Sequence, residues 1–86
     1  MKVIYAKSAR KDLDDLSEVV ITHVRKRLQL LEEDAVGLQI KKLKGTKSPQ
    51  LYRLRVGDFR VIYTVNRTEK EITLLRIVHR KDAYQP

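Results

Sequence analysis

The segment LYRLRVGDFRVIY, residues 51–63, carries three arginines whose planar side chains suit the binding of a phosphate group. They are Arg53, Arg55 and Arg60, and Asp58 is the one acidic residue among them. A guanidinium group binds phosphate or carboxylate oxygens in a bidentate manner, which an ammonium group does not. An ordinary solvated sheet surface usually mixes positive and negative side chains, because mixing relieves repulsion. The alternative is that the three arginines form a merely solvated face, and the segment favours a binding site for an anion over it.

The same segment predicts a tight β-hairpin. Gly57 and Asp58 form a two-residue turn, and Val56 and Phe59 flank it. This register puts Arg55 directly opposite Arg60, and like charges in that position destabilise a strand pair. We expect an anionic partner, either a nucleic-acid phosphate or an acidic protein segment, to offset the repulsion.

Alternation of side chains along a strand assigns the arginines to one face of the sheet. The other face is apolar and should contact the core through Leu54, Val56, Val61 and Tyr63, whereas the face with Arg53, Arg55 and Arg60, here called the arginine face, also carries Ile62. If Leu75 and Ile77 of the last strand join the core, Arg76 falls on the arginine face. Arg80, four residues later, would then lie on the same face if the alternation continued. Tyr52 and Tyr63 then pair across the hairpin as sheet packing.

The elements that must position these residues follow from hydrophobic periodicity. Residues 2–6 predict a strand, Ser8 is a candidate cap for a first helix, and Ile21, Val24, Leu28 and Leu31 mark a second helix. Loops around Gly37 and residues 44–50 precede strands at 51–56, 59–65 and 71–79, and the tail predicts a helical turn or an irregular segment. The order β-α-α-β-β-β predicts an α+β fold in a single domain, 1–86, with both helices on one face of an antiparallel sheet. The opposite sheet face is then free.

Composition limits the classes of function. The chain has 86 residues and a formal net charge of +8, which suggests a polyanionic partner such as nucleic acid or an acidic protein. It has no cysteine, so disulfides and thiolate metal sites are excluded. His23 and His79 alone make no credible metal site, and we expect no cofactor. No apolar run approaches a membrane span, so we expect a soluble, cytoplasmic protein.

The segments LYRLRVGDFRVIYTV and LLRIVHRKDAY together resemble the core signature of RelE-type toxins of bacterial and archaeal toxin–antitoxin pairs. The resemblance extends over nearly the whole chain. It implies a metal-independent endoribonuclease that enters the ribosomal A site and cuts the mRNA there. It also implies a RelB-like antitoxin partner that holds the toxin inactive, and contact with operator DNA only through that antitoxin.

The resemblance also implies roles for particular residues. Arg53 and Arg55 match two basic catalytic positions, where some members carry lysine, and Arg60 matches the arginine that holds the scissile phosphate. Arg80 matches a second catalytic arginine, and Tyr84 matches a tyrosine near the attacking 2′-hydroxyl, although the spacing between these two is shorter than in some members. We further predict RNA contacts from basic residues of the loop and of the C-terminal part, namely Lys42, Lys44, Lys47, Arg76, His79 and Lys81.

Metal-free RNA cleavage needs a base for the 2′-hydroxyl, stabilisation of the charged phosphorane and an acid for the leaving oxygen. Arginines suit the second task but are poor bases, which leaves Tyr84 and His79 as candidates for proton transfer. Two alternatives share this fold: a ParE-like toxin that binds DNA gyrase without RNA chemistry, and a non-catalytic module. We expect ribosome-dependent RNA cleavage to separate the first hypothesis from both.

Overall fold

Within residues 2–32, 40–42 and 50–83, which the computed structural model describes, the chain confirms the α+β class and the predicted order of helices and strands. A strand β1 (Lys2–Tyr5) leads into helices α1 (Lys7–Asp14) and α2 (Glu18–Glu32). The remaining elements are β2 (Ile40–Lys42), β3 (Tyr52–Val56), β4 (Phe59–Asn66), β5 (Glu71–His79) and a short helix α3 (Arg80–Ala83).

The five strands form one sheet in the order β1-β5-β4-β3-β2. β1 lies parallel to β5, with Val3 paired to Ile72, so the sheet is mixed rather than purely antiparallel. The other neighbours pair antiparallel. β2 was not predicted from the sequence, because the three residues Ile-Lys-Lys are too few to show a strand alternation.

Ser8 takes a different role from the one that its spacing suggests, and Ser17 caps the second helix. Ala6 precedes α1 without any side-chain cap, and Ser8, the predicted cap, instead donates its hydroxyl hydrogen to the carbonyl of Leu75. Ser17 precedes α2, where its hydroxyl oxygen accepts a hydrogen bond from the Val20 N–H at 3.3 Å. Of the two serines, Ser17 is therefore the one whose side chain caps a helix.

The core lies between one face of the sheet and the two long helices. The predicted apolar face of the hairpin is confirmed, because Leu54, Val56, Val61 and Tyr63 are all buried. The helices and the remaining strands add Ala9, Val24, Leu28, Leu31, Ile72, Leu74 and Ile77 to the same cluster. No helix in the described part of the chain has the length and apolar character to cross a membrane.

A β-bulge in β5 changes which leucine enters the core. Ile62 pairs with Arg76, but the next residue, Tyr63, pairs with Leu74, so Leu75 has no partner on β4. Leu74 is fully buried and Leu75 only half-buried, so the assignment of Leu75 to the core is wrong. An extra residue in one strand exchanges the faces to which the following side chains point. The position of such a bulge cannot be read from the alternation of apolar residues in the sequence.

Candidate nucleic-acid interface

The predicted hairpin register is confirmed at every pair. Arg55 lies opposite Arg60, Arg53 lies opposite Ile62, and Val56 and Phe59 flank the turn. Arg55 is exposed, whereas Arg53 is half-buried and takes part in other interactions of the fold. The arginines therefore occupy the strand positions predicted for the arginine face, but their side chains differ in exposure to solvent.

Arg60 departs most from expectation, because its side chain is buried rather than displayed on the sheet. Only 4% of the residue is exposed. Its Nη1 donates hydrogen bonds to the carbonyl oxygens of Gly57, at 2.9 Å, and Phe59, at 2.8 Å. The partial negative charges of these carbonyl oxygens stabilise the guanidinium, so the fold itself offsets some of the repulsion between Arg55 and Arg60 although Arg60 keeps its full charge. An anionic partner is not the sole explanation of that pair.

The same guanidinium keeps one donor unused. Nε of Arg60 is buried and has no hydrogen-bond partner among the residues that the structure describes. A buried donor without an acceptor is costly, and a buried cation without a carboxylate more so. Nε is the donor of this guanidinium that a further acceptor would satisfy, and an oxyanion reaches it only when the groups that cover it move.

Arg80 comes to the same end of the hairpin. The N–H of Arg80 donates to the Asp58 carbonyl at 2.7 Å, and its Nε lies 3.9 Å from the Asp58 carboxylate. Both side chains are mostly exposed, so solvent weakens this ion pair. Arg55, Arg60 and Arg80 are therefore grouped around the turn between β3 and β4, and we call this group the turn arginines.

Arg76 stands on the arginine face in register, opposite Ile62, but its guanidinium reaches the edge of the sheet. There its Nε and Nη2 donate to the Asp12 carboxylate at 2.7 and 3.1 Å, and the Ile77 N–H donates to the same carboxylate at 2.8 Å. Burial alone would raise the pKa of Asp12, but the Arg76 and Ile77 hydrogen bonds outweigh it and hold that pKa below its usual value. The ion pair competes with any phosphate for Arg76.

The remaining predicted residues are placed as follows. His79 pairs with Phe59 on the core side of the sheet, with the rings edge to face and their centroids 5.4 Å apart. Its Nδ1 accepts a hydrogen bond from the Lys81 N–H at 3.4 Å, and the Lys81 side chain is exposed. Tyr84, Lys44 and Lys47 lie outside the described residues, and Lys42 is described only through its backbone pairing with Tyr52.

Tyr52 and Tyr63 stack across the hairpin, with ring centroids 5.4 Å apart and planes inclined by 20°. Tyr63 is almost fully buried, which raises its pKa to about 12, and the neighbouring Tyr52 adds to the shift. The prediction that this pair serves sheet packing agrees with the observed geometry.

Sequence reasoning missed a groove behind the turn. His23, Lys26, Arg27 and Leu30 of α2 line one side of it, and Val56 and Gly57 line the other, around a volume of about 310 Å³. The helical spacing of His23, Arg27 and Leu30 was visible in the sequence, but their contact with the turn depends on how α2 crosses the sheet.

Comparisons with known proteins agree on one family. The family of ParE toxins of type II toxin–antitoxin systems, parDE, matches residues 3–84. The RelE1 protein of Methanocaldococcus jannaschii is 33% identical over 82 residues, which cover 92% of this chain and 89% of that protein.

Two solved complexes show the same fold. The RelE–RelB complex of Pyrococcus horikoshii gives a TM-score of 0.77 at 34% identity, covering 92% of this chain and 93% of the other. The RelB–RelE antitoxin–toxin complex of Methanococcus jannaschii gives 0.75 at 28% identity, covering 94% of each chain.

Proposed function

Because this chain belongs to the RelE/ParE superfamily of toxins of type II toxin–antitoxin systems, we propose that it is an endoribonuclease that cuts mRNA in the ribosomal A site. The observation that carries the proposal is the grouping of the turn arginines around the Gly57–Asp58 turn. In the described part of the chain Nε of Arg60 has no acceptor, and the Asp58 carboxylate of the turn pairs with Arg80 only at 3.9 Å in a solvent-exposed position. Such a group favours an anion over a neutral ligand.

The proposed reaction uses the RNA as its own nucleophile. The 2′-oxygen attacks the adjacent phosphorus, the bond from phosphorus to the 5′-oxygen breaks, and a cyclic phosphate and a 5′-hydroxyl result. One proton leaves the 2′-hydroxyl and one reaches the 5′-oxygen, so the step balances without an oxidant or a reductant, and in this proposal the arginines take the role that a metal ion would have. Arg60, Arg55 and Arg80 stabilise the extra negative charge of the phosphorane, and one lost donor of this kind costs about 10²–10³ in rate.

Proton transfer is assigned to Tyr84 first and to His79 second. Both lie close in sequence to Arg80, which is held at the turn. Neighbouring cations would lower the pKa of a tyrosine base by favouring its anion. His79 packs against Phe59 on the core side, so it serves the reaction only if substrate reaches that edge. Arg53 and Lys81 complete the proposed RNA surface.

The proposed protein partner is a RelB-like antitoxin. The similar toxins of Pyrococcus horikoshii and Methanococcus jannaschii are known in complex with RelB. A net charge of +8 favours an acidic segment of such a partner, which would occupy the turn arginines in place of RNA phosphate. In this proposal the toxin acts in the cytoplasm and touches operator DNA only through the antitoxin.

The test compares two arginine variants of equal charge change. Arg60→Ala removes a turn arginine, whereas Arg67→Ala removes an exposed arginine at the far end of β4, roughly 23 Å away along the strand. After brief induction, primer extension should find cuts within translated codons for the wild type and for Arg67→Ala. The cuts should disappear in Arg60→Ala and when translation initiation is blocked. Unchanged cuts in Arg60→Ala would refute the proposed role of that residue.

A second candidate is inhibition of DNA gyrase, because the matching family is that of ParE toxins. It requires no RNA chemistry. Growth arrest with DNA damage and intact messages would favour it over RNA cleavage. Normal growth with intact messages would favour a non-catalytic module.

A further inference from the structure

Three consecutive backbone carbonyls of the β3–β4 turn hold two of the turn arginines. The Gly57 and Phe59 carbonyls accept hydrogen bonds from Nη1 of Arg60, at 2.9 and 2.8 Å. The carbonyl between them, that of Asp58, accepts the N–H of Arg80 at 2.7 Å. One turn therefore fixes the side chain of the first arginine and the chain position of the second.

The backbone conformation of Gly57 determines the direction of these carbonyl groups. Its φ of +58° lies in the left-handed region, which residues with a Cβ enter at a cost. A Cβ built at Gly57 would meet no atom within 4 Å, so space does not explain the glycine. The backbone conformation does, because it sets the direction in which the peptide carbonyls of the turn point.

Carbonyls hold an arginine differently from a carboxylate. A carboxylate would fix Arg60 but would also cancel its charge, which would weaken its attraction for phosphate. Two carbonyl dipoles fix the guanidinium through Nη1 and leave its full positive charge, with Nε unpaired. Electrostatic stabilisation of a transition state requires this kind of prior orientation without neutralisation.

We propose that the Gly57–Asp58 turn is the positioning element of the ribonuclease site, and that Gly57 is a positioning residue for Arg60 and, through the Asp58 carbonyl, for Arg80. This inference rests on the proposed RNA cleavage and adds to it. The turn itself touches no reacting atom.

Two replacements of Gly57 separate backbone conformation from the mere presence of a side chain. L-alanine (Gly57→Ala) adds a methyl group into open space, and D-alanine, introduced by chemical synthesis of the chain, adds the same group with the opposite chirality. Gly57 has a positive φ and Asp58 does not, so the turn is of type II′, whose first position suits glycine or a D-residue and disfavours L-residues. If the turn conformation matters, D-alanine preserves activity that L-alanine loses, although the two side chains are equal in size.

The assay is single-turnover cleavage of a short mRNA on saturating purified ribosomes, with ribosome affinity measured separately. We expect Gly57→Ala to lower the cleavage rate by about tenfold to hundredfold, as small displacements of a catalytic group do, with little change in ribosome affinity. D-alanine at position 57 should stay within about threefold of the wild type. Equal rates for wild type and Gly57→Ala, or equal losses for L-alanine and D-alanine, would overturn the inference.

Two further measurements, of side-chain rotation and of amide exchange, test the inference independently of the cleavage rate. In the wild type, NMR should show slower rotation of the Arg60 guanidinium than of the exposed Arg55; equally fast rotation would overturn the inference even if Gly57→Ala fails to fold. Hydrogen exchange of the Arg80 amide should speed up in Gly57→Ala more than in the D-alanine variant, and equal exchange in the two would count against the turn. If the wild type and Arg60→Ala are both inactive on ribosomes, the proposed function fails. If only Arg60→Ala is inactive while Gly57→Ala is normal, the positioning role alone fails.

Discussion

Asp12 joins α1 to β5, and its replacement by alanine should destabilise the protein well beyond the loss of a surface ion pair. The carboxylate lies at the edge of the sheet with only 16% of its side chain exposed, whereas 53% of the Arg76 side chain is exposed. It accepts hydrogen bonds from two nitrogens of Arg76 and from the Ile77 backbone N–H. The Ile77 N–H loses this carboxylate acceptor when Asp12 is removed.

The magnitude follows from treating the two partners separately. Because Arg76 is half exposed, its ion pair contributes at most about 1 kcal/mol. The hydrogen bond from the Ile77 N–H to a charged acceptor contributes roughly 1.5–3 kcal/mol. Asp12→Ala should therefore lower the free energy of unfolding by about 2–4 kcal/mol, and Arg76→Ala by about 1 kcal/mol or less. In a domain of this size, each 1 kcal/mol corresponds to roughly 4–8 °C in Tm.

Urea unfolding at pH 7 measures both effects, with Asp14→Ala as the control because Asp14 is an exposed acid on the same helix. The control should change stability by no more than about 0.5 kcal/mol. The folded pKa of Asp12 lies below its usual 3.8, so its contribution is present above pH 3.8 and disappears as the pH falls through the folded pKa. Equal losses for Asp12→Ala and Arg76→Ala would refute the argument that the backbone N–H dominates.

Three other predictions follow from the fold. Leu74→Ala should cost about 2–5 kcal/mol in unfolding experiments and Leu75→Ala distinctly less, because the bulge buries only the first; the reverse order would contradict the bulge. Ser17→Ala should cost about 1 kcal/mol through the lost cap of α2, measured by thermal unfolding, and no loss would mean that water replaces the hydroxyl. Absorbance at 295 nm should show one tyrosine titrating at about pH 12, absent in Tyr63→Phe. Because that pKa is raised on folding, the associated stability is intact below about pH 10 and is lost as the pH rises toward 12.

The sequence alone determined the hairpin and its register. Gly57 and Asp58 permit a two-residue turn, and alternation then leaves one pairing that buries Leu54, Val61 and Tyr63 together. The helical periodicity of α2 and the helix–strand order likewise depend on local patterns, which is why they were predictable.

The tertiary structure decided where the arginines point. Arg60 is buried because the turn carbonyls accept its hydrogen bonds, and those carbonyls take their direction from the folded turn and not from side-chain parity. Arg76 is drawn to Asp12, a residue 64 positions away, once α1 lies along the edge of β5. Neither partner is visible as a pattern in the sequence, because each depends on the packing of distant elements.

The same holds for the bulge at Leu75 and the parallel pairing of β1 with β5. Local hydrophobicity fixes which segments become strands, since each needs an apolar face to bury. The neighbour that a strand chooses, and the point at which its alternation slips, depend on hydrogen bonds across the whole sheet. The capacity of the turn arginines to bind an anion was thus predictable from their residue type. The orientation of their side chains was not, because it depends on the fold.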